Sequence, residues 1–95
     1  MLVIIKSAPD TVEGRRGVKL ARSLSASLIL LQNGVFFIQD QALDDLGFVG
    51  PVYVLEDDMR LRGVKVNEAK TNRKDIDYDG LIDLMAGSDR VAGMF

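Results

Sequence analysis

Three short runs decide what this chain can fold into: Leu2 to Ile5, Ser27 to Leu31, and Pro51 to Leu55. Each is a near-continuous stretch of aliphatic or β-branched residues. None alternates apolar with polar, so none suits a sheet with one wet face. Such runs fit strands buried on both sides, as in a parallel sheet. Parallel neighbours need a crossover of a dozen or more residues, usually a helix. The intervals between the runs are long enough to supply one.

The first interval predicts a helix over Val12 to Leu24, with Asp10 or Thr11 as its cap and Glu13 facing the positive dipole end. Gly14, Gly17, Val18 and Ala21 share one helical face. Glycine within a helix costs about 1 kcal/mol relative to alanine, so a face this small implies close approach to the sheet. After the second run, Gln32-Asn33-Gly34 reads as a strand-to-helix turn. Val35, Ile38, Ala42 and Leu46 then form a stripe on a second helix that Gly47 ends. Glu56-Asp57-Asp58 opens a short helical turn closed by Gly63, and Val64 to Val66 reads as a short fourth strand. Glu68 to Lys74 is polar and reads as an exposed loop. Ile76-Asp77-Tyr78 starts a last helix with Asp77 as N-cap and Tyr78, Leu81, Ile82 and Met85 as its stripe. Arg90 to Phe95 reads as a closing strand. Strands alternating with helices make a helix-covered parallel sheet the natural architecture, α/β in class.

With 95 residues the chain is expected to be one domain, and its core is thin enough that self-association would help it. It contains neither cysteine nor histidine. Disulfides, thiolate nucleophiles, persulfide carriage, Cys/His zinc sites and imidazole-based triads are therefore excluded. Twelve basic against 14 acidic residues argue against direct nucleic-acid binding. Met1 to Ile5 is apolar but meets Lys6 at once, too short for a signal segment, and no run approaches the roughly 20 residues of a membrane span. A soluble, cytoplasmic protein that contacts no membrane is expected.

Sites in such sheets lie beyond the carboxyl ends of the strands. Those ends are Lys6-Ser7, Asn33-Gly34 and Glu56-Asp57-Asp58. The acidic cluster could hold Mg²⁺ for a phosphorylated ligand. The plainer reading is a helix start, with Asp58 paired to Arg62 at i,i+4. Lys6-Ser7 and Asn33-Gly34 could bind an anion through backbone N–H groups, but no phosphate-loop fingerprint accompanies them and plain turns are favoured. Arg15, Arg16 and Arg22 could meet phosphate or a partner's acids, and otherwise form a solvated helix face. Val35-Phe36-Phe37-Ile38 cannot all face one sheet from a helix, because successive residues turn by about 100°. This cluster is the expected interface for a homodimer or larger homo-oligomer, with Phe36 or Phe37 as its anchor. No catalytic residue, metal site or cofactor is assigned.

In order, the motifs resemble the TusB/DsrH family of sulfur-relay proteins, within the DsrE/DsrF/DsrH group. They are Lys6-Ser7 after the first strand, Gly17-Val-Lys-Leu-Ala21, Gln32-Asn33-Gly34-Val35-Phe36, Val52 to Leu55 followed by Asp58 and Arg62-Gly63, and Ile76-Asp77-Tyr78 through Gly80-Leu-Ile-Asp-Leu84 to Asp89-Arg90-Val91. The resemblance implies a three-layer α/β/α sandwich with a parallel sheet of about five strands. It implies a cytoplasmic subunit of an oligomer that associates with DsrE-like and DsrF-like partners; this chain is expected to be a non-enzymatic member, with a structural homo-oligomer of unknown role as the alternative. Such assemblies pass persulfide sulfur for 2-thiolation of the tRNA wobble uridine or for sulfur oxidation. Some relatives carry a cysteine in helix one just before a segment like Val18 to Ala21; the corresponding residue here is Gly17.

Overall fold

The computed structural model describes residues 1–39, 41–64 and 73–95. In chain order it contains β1 (Leu2–Ile5), α1 (Val12–Leu24), β2 (Ser27–Leu30), a 3₁₀ helix (Gln32–Ile38) and α2 (Ala42–Asp45). There follow β3 (Val52–Leu55), α3 (Glu56–Leu61), β4 (Arg73–Ile76), α4 (Tyr78–Gly87) and β5 (Val91–Met94). The five strands form one sheet in the order β4-β3-β2-β1-β5, with every pairing parallel. This is the helix-covered parallel sheet that the alternation of runs and helices implied, and the five-stranded α/β/α sandwich that the resemblance implied.

The strand order fixes where the helices lie. From β1 through β4 the chain steps steadily toward one edge, so right-handed crossovers put α1, the 3₁₀ helix, α2 and α3 on one face. The return from β4 to β5 crosses back, and α4 lies on the opposite face. The larger core joins Val3, Ile5, Leu28, Leu30, Val52 and Val54 of the sheet to Val18 and Ala21 of α1, Val35 and Phe37 of the 3₁₀ helix, and Leu43 of α2. The smaller core holds only Leu2, Ile4 and Ile29, with Tyr53 and, from α4, Leu81 and Leu84 partly buried against them.

Local chemistry sets the helix ends. The Thr11 hydroxyl accepts the Gly14 N–H at 3.1 Å and donates to the Ala8 carbonyl at 2.6 Å. The buried face of α1 is Gly14, Gly17, Val18 and Ala21, as their spacing predicts. Asp77 caps α4 by accepting the Gly80 N–H at 2.7 Å, and Gly63 leaves α3 at φ +60°.

Several expectations are corrected. The segment from Val35 to Leu46 is not one helix: a 3₁₀ helix ends at Ile38, and α2 starts after Gln41 at φ +59°. The 3₁₀ helix packs against β2, β3, α2 and α3, so it is enclosed from several sides rather than along one stripe. The fourth strand of the sheet is Arg73–Ile76; the one expected at Val64 to Val66 lies mostly outside the described residues. Val64 lies outside any strand, and residues 65 and 66 are outside the described residues. Arg73 and Lys74 therefore belong to an edge strand rather than a loop, and Ile76 ends that strand instead of opening a helix. On α4 the expected apolar stripe is split, for Leu81 packs on the sheet while Tyr78, Ile82 and Met85 are exposed.

Candidate functional site

The carboxyl ends of β2 and β3 meet in a small polar network. Gln32 follows β2 at φ +49°, and its N–H donates to Asp58 Oδ2 at 2.7 Å. The second Asp58 oxygen lies 3.6 Å from Arg62 Nη1, one turn along the chain. Arg62 Nε donates to Asn33 Oδ1 at 2.9 Å, and its Nη1 lies 3.5 Å from the Asp58 carbonyl. Asp58 is the buried charged residue of the described core. A buried carboxylate is tolerated only when paired and hydrogen-bonded. Here one carboxylate ties the turn after β2 to α3.

Gly34 closes the same end of the sheet. A Cβ there would run into the carbonyl oxygen of Ile5. The Gly34 N–H donates to Leu31 O at 2.8 Å, and the Leu31 N–H donates to Ile5 O at 2.9 Å. The 3₁₀ helix therefore starts directly over the carboxyl ends of β1 and β2.

The acidic run divides its partners. Asp57 pairs with Arg60, Asp58 pairs with Arg62, and Glu56 and Asp57 stand half-buried in the first turn of α3. Among the described residues no group of three carboxylates converges as metal ligands. The cluster is a helix start with its own cations. Lys6 is exposed and Ser7 half-buried, and neither joins the Asp58 network among the described hydrogen bonds. Arg15 reaches the Pro9 carbonyl, and Arg22 donates to the Leu46 carbonyl at 3.0 Å, tying α1 to the end of α2.

The four-residue apolar cluster separates into two pairs. Val35 and Phe37 are buried in the protein's own core, so the expectation that they form an interface is corrected. Phe36 and Ile38 are half-buried and keep part of their surface open.

Gly17 carries a constraint that the sequence did not reveal. A Cβ at this position would collide with the Ile5 side chain and fall 2.7 Å from Phe95 Cβ and 2.8 Å from Phe95 Cγ. Phe95, whose N–H donates to Ile4 O at 2.7 Å, packs across the place where a helix-one side chain would stand. No sequence motif pointed to Phe95, because its role depends on β5 lying beside β1.

These positions can be compared with known proteins. A family model described as DsrH like protein matches residues 17–91, most of the chain. The chain belongs to the DsrH-like family. The match takes in Gly17, Asn33-Gly34, Asp58, Arg62-Gly63 and Asp77-Tyr78, and it relates the protein to the sulfur-relay group. Protein Tm0979 from Thermotoga maritima, solved in solution by NMR, is a similar structure: TM-score 0.62 and 26% identity, covering 98% of this chain and 100% of that one. No curated protein matches the chain significantly. No helix among the described residues is long and apolar enough to cross a membrane.

Proposed function

We propose that this DsrH-like protein is a non-catalytic, cytoplasmic subunit of a sulfur-relay assembly and acts through protein–protein contacts. The observation that carries this reading is the closed position at Gly17, in a chain without any cysteine. Persulfide relay proceeds by attack of a thiolate on a sulfur, so its rate follows thiol ionisation and access. This chain has no thiol to offer. The four methionines do not substitute, because a thioether has no ionisable proton and forms no persulfide. What remains is to hold or shield the cysteine-bearing loop of a DsrE-like or DsrF-like partner, in wobble-uridine thiolation or in sulfur oxidation. Phe36 and Ile38, beside Asn33 and Arg62 at the strand ends, form the contact we assign to that partner.

Two measurements test the reading. Intact mass after treatment with a persulfide donor is expected to show no stable sulfur adduct. DsrE-like and DsrF-like proteins from the same source are expected to bind, with protection or activation of their cysteine, and Phe36→Asp is expected to weaken that binding. A specific adduct on this chain, or no binding to either protein, would overturn the proposal.

A further inference from the structure

One helix, α4, covers its face of the sheet and leaves a groove of about 470 Å³ between itself and the strands. The floor of the groove is Leu2 of β1, Tyr53 of β3, and Lys74 and Ile76 of β4. Strand register explains that floor. Tyr53 pairs with Lys74 and Leu55 with Ile76, and residues two apart on a strand share a face. Tyr53 packs with Leu2 in the smaller core, so Lys74 and Ile76 stand on the α4 side. Arg73 and Asp75 pair with each other on the opposite side. The helix wall includes Asp83, Leu84 and Gly87, which fall within about 100° of one another around α4. Gly87 puts no side chain into this wall, and a Cβ there would meet nothing within 4 Å.

A groove of this size is within the range of small-molecule sites, which combine an apolar surface with a few polar groups. The apolar surface here is Leu2 and Ile76, both buried, with the Tyr53 ring and Leu84 half-buried. The polar groups are the Tyr53 hydroxyl, the Lys74 ammonium and the Asp83 carboxylate. Among the described residues, none of these three groups has a hydrogen-bond or ion-pair partner in the protein. Lys74 and Asp83 line one groove from its two sides, yet they do not pair with each other. Opposite charges held apart in this way offer separate points for two opposite charges of a ligand. A ligand with a single charge would meet its own sign as well as its opposite, and like charges brought together cost affinity. A zwitterion satisfies both.

We infer that this groove binds a free α-amino acid with a large apolar side chain. Its carboxylate sits on Lys74 and its ammonium on Asp83, while its side chain lies against Leu2, Ile76, Leu84 and the Tyr53 ring. The Tyr53 hydroxyl, one strand over from Lys74, donates a hydrogen bond to the same carboxylate. Lys74 and Asp83 are exposed, so each charge is partly screened by water and the apolar floor is needed to hold the ligand. The groove lies on the face opposite the 3₁₀ helix, and the inference is independent of the relay role.

Amide-resolved NMR titration with L-phenylalanine, L-leucine and L-methionine tests it. At least one of the three is expected to give saturable shifts centred on Tyr53, Lys74, Asp83 and Gly87. The N-acetyl derivative of that amino acid lacks the ammonium, and its amide lacks the carboxylate. Each is expected to bind about 10-fold more weakly than the parent. Lys74→Met and Asp83→Asn alter exposed side chains, and circular dichroism is expected to show both variants folded. Lys74→Met should weaken the parent amino acid about 10-fold and leave binding of its amide unchanged. Asp83→Asn should likewise weaken the parent and leave binding of the N-acetyl derivative unchanged. No saturable shifts with any of the three up to about 10 mM would overturn the inference. So would saturable shifts centred elsewhere, derivatives that bind as tightly as the parent, or folded variants that bind the parent as wild type does.

Discussion

The two faces of the sheet are built from the same strands yet are covered very differently. On one, α1, the 3₁₀ helix and α2 contribute Val18, Ala21, Val35, Phe37 and Leu43 to a continuous buried core. On the other, α4 contributes only Leu81 and Leu84, both partly exposed. The cause is topological. Three successive steps toward one edge put their crossovers on one face, and the single return step leaves one helix for the other. The well-covered face holds the fold together. The thin face leaves Tyr78, Ile82 and Met85 of α4 exposed.

The largest expected contrast is between Phe37 and Leu84. Phe37→Ala should lower the unfolding free energy by about 3–5 kcal/mol, and Leu84→Ala by only about 1–2 kcal/mol. Urea titrations with unchanged slopes would measure both, and equal losses would erase the distinction between the faces. This also decides how Phe37→Asp is to be read: it should unfold the chain rather than dissociate it.

Glycine substitutions should sharpen the comparison by changing sign. Gly17→Ala places a methyl against Ile5 and Phe95 on the dense face, and overpacking of that kind costs about 1–3 kcal/mol. Gly87 ends α4 without a positive φ, and nothing lies within 4 Å of the place its added methyl would take. Gly87→Ala should therefore stabilise by about 0.4–1 kcal/mol. Thermal melts of the two variants are expected to move in opposite directions.

Between these lies the polar strut on the dense face. Asp58→Ala removes the acceptor of the Gln32 N–H and the partner of Arg62, and should cost about 1–2 kcal/mol. Asp58→Asn keeps an acceptor for Gln32 and should recover part of that loss. If the alanine and asparagine variants are equally unstable, the hydrogen bond contributes little and the ion pair carries the effect.

The dense face was largely legible in the sequence. β1, β2 and β3 declare themselves as apolar runs because both their sides are buried, and the small-residue face of α1 is where close packing was expected. The 3₁₀ helix was not legible as such, since Val35 and Phe37 are enclosed by several elements and follow no single stripe. β4 was missed because an edge strand reading Arg-Lys-Asp-Ile buries only its last residue. The pairing of Asp58 with Arg62 followed from their spacing. The Gln32 and Asn33 contacts, and Phe95 over Gly17, join residues distant in sequence and required the strand order. On α4, periodicity gave the helix and its cap but not its orientation, because Tyr78, Ile82 and Met85 look like core residues in any monomer.

The most direct test of this two-face account is native-state amide hydrogen exchange in dilute solution. At low concentration the amides of β1 and β2 should exchange only through global unfolding, while those of α4 should exchange through local opening at much lower free energy. Protection of α4 equal to that of β1 and β2 would contradict the account.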